Sequence, residues 1–489
     1  MNVFKATRSM PLRANAAGAL TNDSVLLSML RSHRLADRYL MLLALVLLGY
    51  ALFGRGFAYV GLPPLFLGEL VLALGFGLLL CHREVWVVLR QPAILAVIAF
   101  VVWGMMCTLP YLGQYGIDAL RDAVLWGYAL YALVVATLLI ADPARLAWLM
   151  FMYRRFIVLL LVLAPIVWLV HSRYQAVLPT WPWAPGMPVL WFKGGDHAVH
   201  LAGAYAYLAL FGIGGTVMPL LIYPLMAVNM GIILVGRAAT LTVAAAFGLM
   251  MLFRPRSPLN WGVVLMAITV VTLLWTTGLV IDIPNSHRKI SIEQLTSNIE
   301  SMVDESEGDL HGTKRWRLDW WATIVDYTFY GDYFWTGKGF GVNLADVDGF
   351  QADPDSAIRS PHNGHLTVLA RMGVPGLAIW LAVHGLWALG ILDALYRSAR
   401  ARMAARIQTR AEGLPLPPRL DRWFGLFAFL FVYYIAFLVN ASFDVFLEGP
   451  MGGVWFWTVY GIGLAAVWIY HRCPETLDVL ESHENSVRP

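Results

Sequence analysis

Apolar residues along the chain fall into twelve runs separated by shorter polar segments. A helix that crosses the hydrocarbon core of a bilayer needs about 20 predominantly apolar residues, and most of these runs approach that length. The pattern therefore predicts an all-α polytopic membrane protein with about twelve transmembrane helices and one large outward-facing loop. The runs are residues 39–53, 63–80, 92–110, 123–140, 156–170, 199–213, 216–235, 238–253, 261–281, 374–394, 423–441 and 451–470.

Composition agrees with this prediction and excludes several other classes of protein. Hydrophobic residues make up 59% of the 489 residues and charged residues only 13%, whereas a soluble domain has about 45–50% and 25%. The net charge of +4 is too small to indicate nucleic-acid binding. Cys81, Cys107 and Cys473 lie far apart, which indicates neither a metal site nor a disulfide framework.

The distribution of arginine predicts the orientation in the membrane, because cytoplasmic loops are enriched in Lys and Arg. With twelve spans and a cytoplasmic N-terminus, the segments between spans that face the cytoplasm are rich in arginine. The loop 395–422 alone holds seven arginines against Glu412 and Asp421. Both termini are therefore expected in the cytoplasm.

This topology divides the chain into five parts. The first three are a cytoplasmic N-terminal segment (1–38), transmembrane helices 1–9 (39–281) and a large outward loop with short helices (282–361). The fourth (362–470) is an outward-face helix followed by transmembrane helices 10–12, and it includes the basic cytoplasmic loop 395–422. The fifth is a cytoplasmic tail (471–489).

The long loop 282–361 has seven Lys/Arg and fourteen Asp/Glu residues, which is unusual for a segment beside the anionic inner leaflet. Its stretch Trp316–Trp335 is rich in Trp and Tyr, as expected for an amphipathic helix at the membrane interface. Two interpretations stay open: an ordered cap over the helices, or part of a substrate-binding wall.

The most distinctive local sequence is Ser360-Pro361-His362-Asn363-Gly364-His365. Ser followed by Pro predicts a helix start, with Ser360 as the cap. His362 would then occupy the first turn, where the helix dipole disfavours a protonated imidazole and favours an anion. A neutral imidazole beside an anion site suits a general base for a hydroxyl nucleophile. His365 would share its helix face, but no acidic or Cys partner lies at metal-ligand spacing. Interfacial histidines without a role are the alternative.

Arg237 interrupts a nearly continuous apolar stretch from 216 to 253. A charge at membrane depth is costly and usually faces a partner or a polar cavity. Arg237 is either an arginine at a tight turn that reaches the interface or a fixed cation for a phosphate group, which guanidinium binds in a bidentate manner. The topology places it on the same outward face as His362. Further candidate cations for a phosphate-bearing substrate on that face are Arg121, Arg359, Lys193, Arg315 and Arg317.

These motifs resemble those of the bacterial O-antigen ligases. His362 followed ten residues later by Gly373 resembles the histidine–glycine motif of that family, and Arg237-Ala-Ala-Thr-Leu241 resembles its arginine–leucine motif. The order of features over roughly residues 39–470 also fits, including the Gly-x-Gly stretch Gly337–Gly341 in the long loop. The segment Lys193–Ala202 is similar to a further family element, which more often has arginine at its start and asparagine near its end. Lys193 and His200 occupy those places here.

The resemblance implies an inner-membrane glycosyltransferase that acts at the periplasmic face. Members of this superfamily move a glycan from undecaprenyl diphosphate to a hydroxyl of a saccharide acceptor, either lipid A–core or a growing polysaccharide. It implies no nucleotide, no metal and no other cofactor. Arginines of the family hold the donor diphosphate and the histidine assists the acceptor, and these roles would fall to Arg237 and His362.

Several functions stay open at this point. An O-antigen or exopolysaccharide polymerase of the same superfamily would differ from a ligase only in its acceptor. A polysaccharide or lipid-linked sugar transporter would also have about twelve spans, although transporters place charges near the bilayer midplane and show repeat symmetry. A non-catalytic assembly partner is the remaining hypothesis.

Overall fold

The computed structural model describes residues 34–214, 218–233, 236–282, 289–293, 296, 309–351, 358–413 and 417–480. Within them, helices account for most of the chain. The first nine are α1 (Leu35–Phe57), α2 (Leu67–Leu79), α3 (Val85–Val88), α4 (Pro92–Thr108), α5 (Leu112–Tyr115), α6 (Ile117–Gly127), α7 (Leu130–Ala141), α8 (Ala144–Tyr174) and α9 (Gly194–Phe211). The others are α10 (Met218–Ile233), α11 (Arg237–Phe253), α12 (Pro258–Thr277), α13 (Asp309–Val325), α14 (Leu344–Asp348), α15 (Gly364–Glu412), α16 (Pro418–Ala441) and α17 (Pro450–Arg472).

The architecture is that of an all-α polytopic membrane protein, as predicted. Seven helices in the described ranges are long and apolar enough to cross a bilayer, and α6 with α7 forms a further candidate span bent by 40°. Shorter apolar helices are α2, α10 and α11, and α9 coincides with another apolar run. Each of the predicted apolar runs thus coincides with a helix or a bent pair, while the count of twelve membrane crossings stays a prediction.

Proline and glycine set the bounds of many of these helices. Proline lies at the first positions of four of them, where its missing N–H costs nothing because that group has no partner within the helix. Glycine in the left-handed conformation ends α12 at Gly278 and α15 at Gly413. The four prolines are Pro92, Pro258, Pro418 and Pro450.

Contacts between helix termini distinguish two ends of the bundle. At one end Arg145 Nε donates to Asp37 Oδ1 at 2.7 Å, and Arg254 donates to the carbonyl of Leu210 at 2.5 Å. Arg402 pairs with Asp421 near the start of α16. We call this the basic end. The opposite end, where α9 begins and α16 finishes, contains His362, and we call it the site end.

The described part of the long loop forms a small second core against residues 364–373. Trp320 and Ile324 of α13 pack with Leu344 and Leu369 in it, and the Trp320 ring stacks on Phe350 at 5.5 Å. The helix predicted within 316–335 begins earlier, at Asp309, and continues after Val325 as a π-helical turn, Asp326–Tyr330. The described part of the loop is thus packed against α15, and both interpretations of the loop, as a cap and as a substrate-binding wall, stay predictions.

In the described part of the chain, three antiparallel strand pairs lie between helices in the sequence, and the apolar pattern did not predict them. They are β1 (Gly61–Leu62) with β2 (Leu65–Phe66), β3 (Thr180–Trp181) with β4 (Ala184–Pro188), and β5 (Ile281–Asp282) with β6 (Lys289–Ile290). The remaining elements are 3₁₀ turns at Leu109–Tyr111, Gln175–Val177, Phe446–Glu448 and Pro474–Leu480.

Candidate functional site

The segment that contains His362 differs from its prediction in one respect. Helix α15 begins at Gly364, and its cap is Asn363, whose side chain accepts hydrogen bonds from the N–H groups of His365 and Leu366 at 3.0 and 3.1 Å. The prediction that Ser360 caps the helix and that His362 lies in its first turn was therefore wrong. An Asn two residues beyond Pro361 satisfies the free N–H groups equally well.

His362 instead occupies the loop just before the helix, with a φ of 54°. This left-handed conformation is uncommon for a residue with a side chain, and the surroundings on both sides hold it in place. Trp321 Nε1 donates to the Pro361 carbonyl at 2.8 Å, and the Asn363 cap fixes the following residue. His362 lies outside the helix. The prediction that it shares a helix face with His365 was therefore wrong.

The imidazole of His362 is kept neutral by its environment. Burial, together with Arg317 and Lys193, lowers its pKa to about 4, although Asp444 opposes this shift. A neutral ring at ordinary pH can accept a proton or a hydrogen bond from a hydroxyl group. The predicted neutral state thus follows from burial and from nearby cations rather than from a helix dipole.

Two of the predicted cations lie close to His362 and contact the end of α16. Lys193 Nζ donates to Asp444 Oδ1 at 2.5 Å. Arg317 donates from a guanidinium nitrogen to the Phe443 carbonyl at 3.2 Å. Lys193 and Arg317 are thus the predicted cations whose charges act on the His362 imidazole.

Arg237 lies at the site end of the bundle, which follows from the direction of its neighbours. Arg254, just beyond the other terminus of α11, contacts Leu210 near the end of α9 at the basic end. Helices α9 and α11 therefore run in the same direction, and both begin at the site end. The cap of α11 is Gly236, which has no side chain to satisfy the first N–H groups. The Arg237 side chain is half-buried at this helix N-terminus, where the helix dipole favours an anion.

Arg121 and Arg359 converge on a carboxylate that the sequence analysis did not single out. Asp122 Oδ2 accepts hydrogen bonds from Arg359 and from the N–H of Gly341 at 3.0 and 3.1 Å. It also forms a 3.0 Å ion pair with Arg371 of α15. Arg121 Nε is 3.7 Å from Asp122 Oδ1. The predicted binding of phosphate by Arg121 and Arg359 stays a prediction. Arg359 joins the segment that leads to His362 to Asp122, whereas the described ion pairs of Arg121 are with Asp118 and Asp122 of its own helix.

The glycine-rich stretch of the loop closes against a break in α15. Gly373 interrupts the helix with a φ of 68°, as the Gly-Val-Pro-Gly sequence predicts. A Cβ there would lie 2.4 Å from the Phe334 carbonyl, so no other residue fits without displacement. The N–H of Lys338 donates to the Ala370 carbonyl at 2.7 Å, and that of Val374 donates to the Phe334 carbonyl at 2.8 Å. These bonds satisfy groups that the break leaves without helical partners.

Glu448 connects the His362 loop to the end of the bundle. Its carboxylate accepts a hydrogen bond from Thr367 Oγ1 at 2.7 Å and interacts with the Ser360 hydroxyl. Burial raises the pKa of Glu448 to about 7, although both hydrogen bonds and Arg371 oppose the rise. Ser360, predicted as a helix cap, is therefore one of the groups that hold this carboxyl.

The other predicted site residues lie apart from the His362 imidazole. His365 donates to the Leu438 carbonyl at 3.3 Å and accepts from Trp380 Nε1 at 3.0 Å, so both ring nitrogens are occupied within the bundle. Arg315 is an exposed residue of α13. Within the ranges that the structure describes, no group of three His, Cys, Asp or Glu side chains has a geometry that could hold a metal ion.

Sequence reasoning missed three groups of this site: Asp122, Asp444 and Glu448. Asp122 adjoins Arg121 in the sequence, and a carboxylate beside a candidate phosphate ligand could have been recognised as its partner. Asp444 and Glu448 lie in the short connection between two apolar runs, where a buried charge signals function or pairing. Their partners are 81 or more residues away in the chain, which no local pattern reports.

Comparison with known proteins finds a match to one family model over part of the chain. Residues 222–381 match the family model described as O-antigen ligase. No curated protein matches the chain significantly. The matched region runs from α10 into α15 and includes both Arg237 and His362. The resemblance to the O-antigen ligase superfamily is thereby confirmed over these residues.

Proposed function

We propose, starting from the match of residues 222–381 to the O-antigen ligase family model, that the chain transfers a glycan from undecaprenyl diphosphate to a hydroxyl of a saccharide acceptor. The observation that supports this best is the neutral, half-buried His362 beside Arg317, on the same end of the bundle as Arg237. Arginine-rich segments at the opposite end favour its placement in the cytoplasm. The site end then faces the periplasm of a bacterial inner membrane.

In the proposed reaction, the acceptor oxygen attacks the anomeric carbon of the donor sugar. The new glycosidic bond forms as the bond between that carbon and the diphosphate oxygen breaks. Undecaprenyl diphosphate leaves with the bonding electrons, and the hydroxyl proton passes to His362. Asp444, which favours the charged form of His362, stabilises the imidazolium until the proton is released to water.

Charge on the leaving diphosphate requires compensation in a site of low dielectric. We assign this role to Arg237 and the N-terminus of α11, with Arg317 as the second cation near His362. Guanidinium binds phosphate oxygens in a bidentate manner. Arg359 is assigned instead to positioning, because it pairs with Asp122. Arg121, which is exposed and pairs within its own helix, stays a candidate cation for the diphosphate.

The test is transfer by the reconstituted full-length protein, with an undecaprenyl-diphosphate-linked glycan as donor and lipid A–core as acceptor. His362→Ala is expected to lower the rate by about 10²–10⁴-fold, and Arg237→Ala by about 10²–10³-fold. His82→Ala and Arg90→Ala, which change the same residue types at the basic end, are matched controls that should stay within about twofold of wild type. Near-wild-type rates for both site variants would refute the proposed mechanism.

Ligase and polymerase differ in the acceptor, so the lipopolysaccharide of a deletion strain separates them. We expect loss of all capped lipopolysaccharide on a gel, which is the outcome for a ligase. Retention of caps with a single repeat unit would instead identify an O-antigen polymerase. Unchanged lipopolysaccharide would indicate that another polysaccharide is the product.

A further inference from the structure

A cavity lies between α1, α8, α16 and α17, and its lining does not include His362. Its volume is about 170 Å³. Leu40 of α1 and Leu146 of α8 line it, and each is within one turn of the buried ion pair between Asp37 and Arg145. That pair marks the basic end of the bundle, so the cavity begins beside the basic end.

The cavity opens towards the side of the bundle. Two of its lining residues, Leu45 of α1 and Leu159 of α8, are 58% and 43% exposed, whereas the lining residues of α16 are buried. Both α1 and α8 are candidate membrane spans. The opening between them therefore faces the hydrocarbon of a bilayer rather than water.

The surface of the cavity is almost entirely carbon. Tyr207 and Trp455 line it, but their polar atoms donate to backbone carbonyls of α8 and α1, at 3.0 and 2.7 Å. The hydroxyl oxygen of Thr458 is covered by neighbouring atoms. A buried water needs about two to four polar partners, and an apolar cavity of about 150 Å³ stays dry and binds benzene. The cavity therefore suits a hydrocarbon segment of about six carbons.

Arg155 of α8 is the one charged residue among the described residues that line the cavity. Its guanidinium carbon lies 4.7 Å from the centre of the Phe151 ring, one turn earlier in α8. The side chain thus points towards the basic end, as long side chains of a helix point towards its N-terminus. With the basic end in the cytoplasm, as proposed, the guanidinium is on the side of the inner leaflet, whose surface is rich in anionic lipids. Guanidinium also binds phosphate oxygens in a bidentate manner.

We infer that the cavity binds an acyl chain of an anionic phospholipid of the inner leaflet, whose phosphate contacts Arg155. The chain enters between Leu45 and Leu159. An apolar lining alone would suit any hydrocarbon chain, but the phosphate groups of the proposed glycan donor belong at the opposite end of the bundle, beside Arg237. The position of Arg155 therefore favours a phospholipid over the polyprenyl chain of the donor. This lipid site goes beyond the proposed function, because it does not require that the protein transfers glycan.

The test is photo-crosslinking of the full-length protein in nanodiscs. The bilayer is phosphatidylcholine with a small fraction of phosphatidylglycerol that carries a diazirine in one acyl chain, and mass spectrometry locates the labelled residues. We expect label on Phe429 and Leu430 of α16, which line the cavity and are buried. A lipid on the outer surface of the bundle does not reach them. Label confined to exposed residues such as Leu45 and Leu159 would overturn the inference.

Two variants test the cavity and the cation separately. Ala44→Phe adds a ring at a position that lines the cavity and is expected to lower the labelling of α16 about tenfold or more, while labelling of Leu159 stays within about twofold. Arg155→Gln is expected to lower the labelling of α16 about fivefold. Arg154→Gln is the matched control, because the neighbouring Arg154 is not part of the lining, and it should stay within about twofold.

The outcomes of these variants decide the inference. Equal effects of Arg155→Gln and Arg154→Gln, or unchanged labelling of α16 in a folded Ala44→Phe protein, would overturn it. Arg155→Gln keeps the test decisive if Ala44→Phe does not fold, because it fills no space in the cavity.

A second probe separates the two sources of a hydrocarbon chain. Undecaprenyl phosphate with a diazirine in its chain, at the same fraction of the bilayer, is expected to label α16 less than phosphatidylglycerol does. Stronger labelling by the polyprenyl probe would assign the cavity to the donor chain and overturn the inference. The expected labelling in a protein that transfers no glycan would support the inference and refute only the proposed function.

Discussion

Replacement of Asp122 by Asn tests whether one carboxylate stabilises the arginines that lie next to the His362 segment, Arg359 and Arg371. Asp122 Oδ2 contacts Arg371 and Arg359, each at 3.0 Å, and the N–H of Gly341 at 3.1 Å. Asparagine keeps an oxygen that can accept one of these bonds but removes the charge. Arg371 would then be a buried cation without its counter-ion.

The expected magnitude follows from how deeply each partner is buried. The side chain of Arg371 is 3% exposed and that of Asp122 10%, and loss of one partner from a buried pair costs about 3–5 kcal/mol. Arg359 is 27% exposed, so solvent screens its pair with Asp122 and its loss adds only about 0.2–1 kcal/mol. We expect Asp122→Asn to lower the free energy of unfolding by about 4 kcal/mol.

The assay is equilibrium unfolding of the full-length protein in mixed detergent micelles, with Asp118→Asn as the matched control. Asp118 lies one turn earlier in α6 and pairs only with the exposed Arg121 in the described contacts, so its loss should cost about 0.5 kcal/mol or less. Arg371→Met in the Asp122→Asn background should recover much of the stability, because an apolar residue replaces the uncompensated charge. Equal losses for Asp122→Asn and Asp118→Asn would refute the reasoning.

Three further predictions concern pH and the backbone. Because the pKa of His362 is lowered to about 4, kcat/KM for transfer should fall only as the pH drops through about 4. A fall of kcat/KM near pH 6.5, the ordinary pKa of histidine, would contradict this. The pKa of Glu448 is raised from 4.5 to about 7, so its contribution to stability is complete below 4.5 and is lost as the pH rises to about 7. The Tm of Glu448→Gln, relative to that of wild type, should therefore rise between pH 4.5 and 7. If the Tm values of the two proteins change with pH in parallel, the raised pKa of Glu448 is refuted. Gly373→Ala should lower the Tm in thermal unfolding, because its Cβ would meet the Phe334 carbonyl. Gly385→Ala in the same helix has open space around its Cβ and should leave the Tm unchanged or raise it slightly. Equal effects of the two variants on the Tm would contradict the requirement for glycine at the helix break.

The helices could be predicted from the sequence because each depends mainly on its own residues. A run of apolar side chains must place its backbone hydrogen bonds within itself in a bilayer, so hydropathy alone locates it. The break at Gly373 could be predicted for the same reason, since Gly-Val-Pro-Gly cannot continue a regular helix. The hairpin β3–β4 could not, because its short strands have no periodic pattern.

The geometry of the site was only partly predictable. Arg237 and His362 could be placed at one end of the bundle from loop charges and span order alone. The loop conformation of His362 could not, because Ser360 and Asn363 are both good caps and tertiary contacts such as that of Trp321 with Pro361 favour the second. The pairing of Asp122 with Arg359 and Arg371 joins residues more than 200 positions apart, and only folding brings them together.

The length of α15 has a practical consequence for imaging this protein. Beyond Gly373, residues 374–412 run for about 58 Å at 1.5 Å per residue, which exceeds the roughly 30 Å of a bilayer core. Helix α16 begins only a few residues later, at Pro418, and Arg402 and Asp421 connect the two helices. A rigid soluble domain inserted between Glu412 and Pro418 would therefore be held by two helices at the basic end of the bundle, opposite to the end that contains His362. Such a fusion would provide a fiducial mark for single-particle microscopy while the site end stays free to bind its substrates.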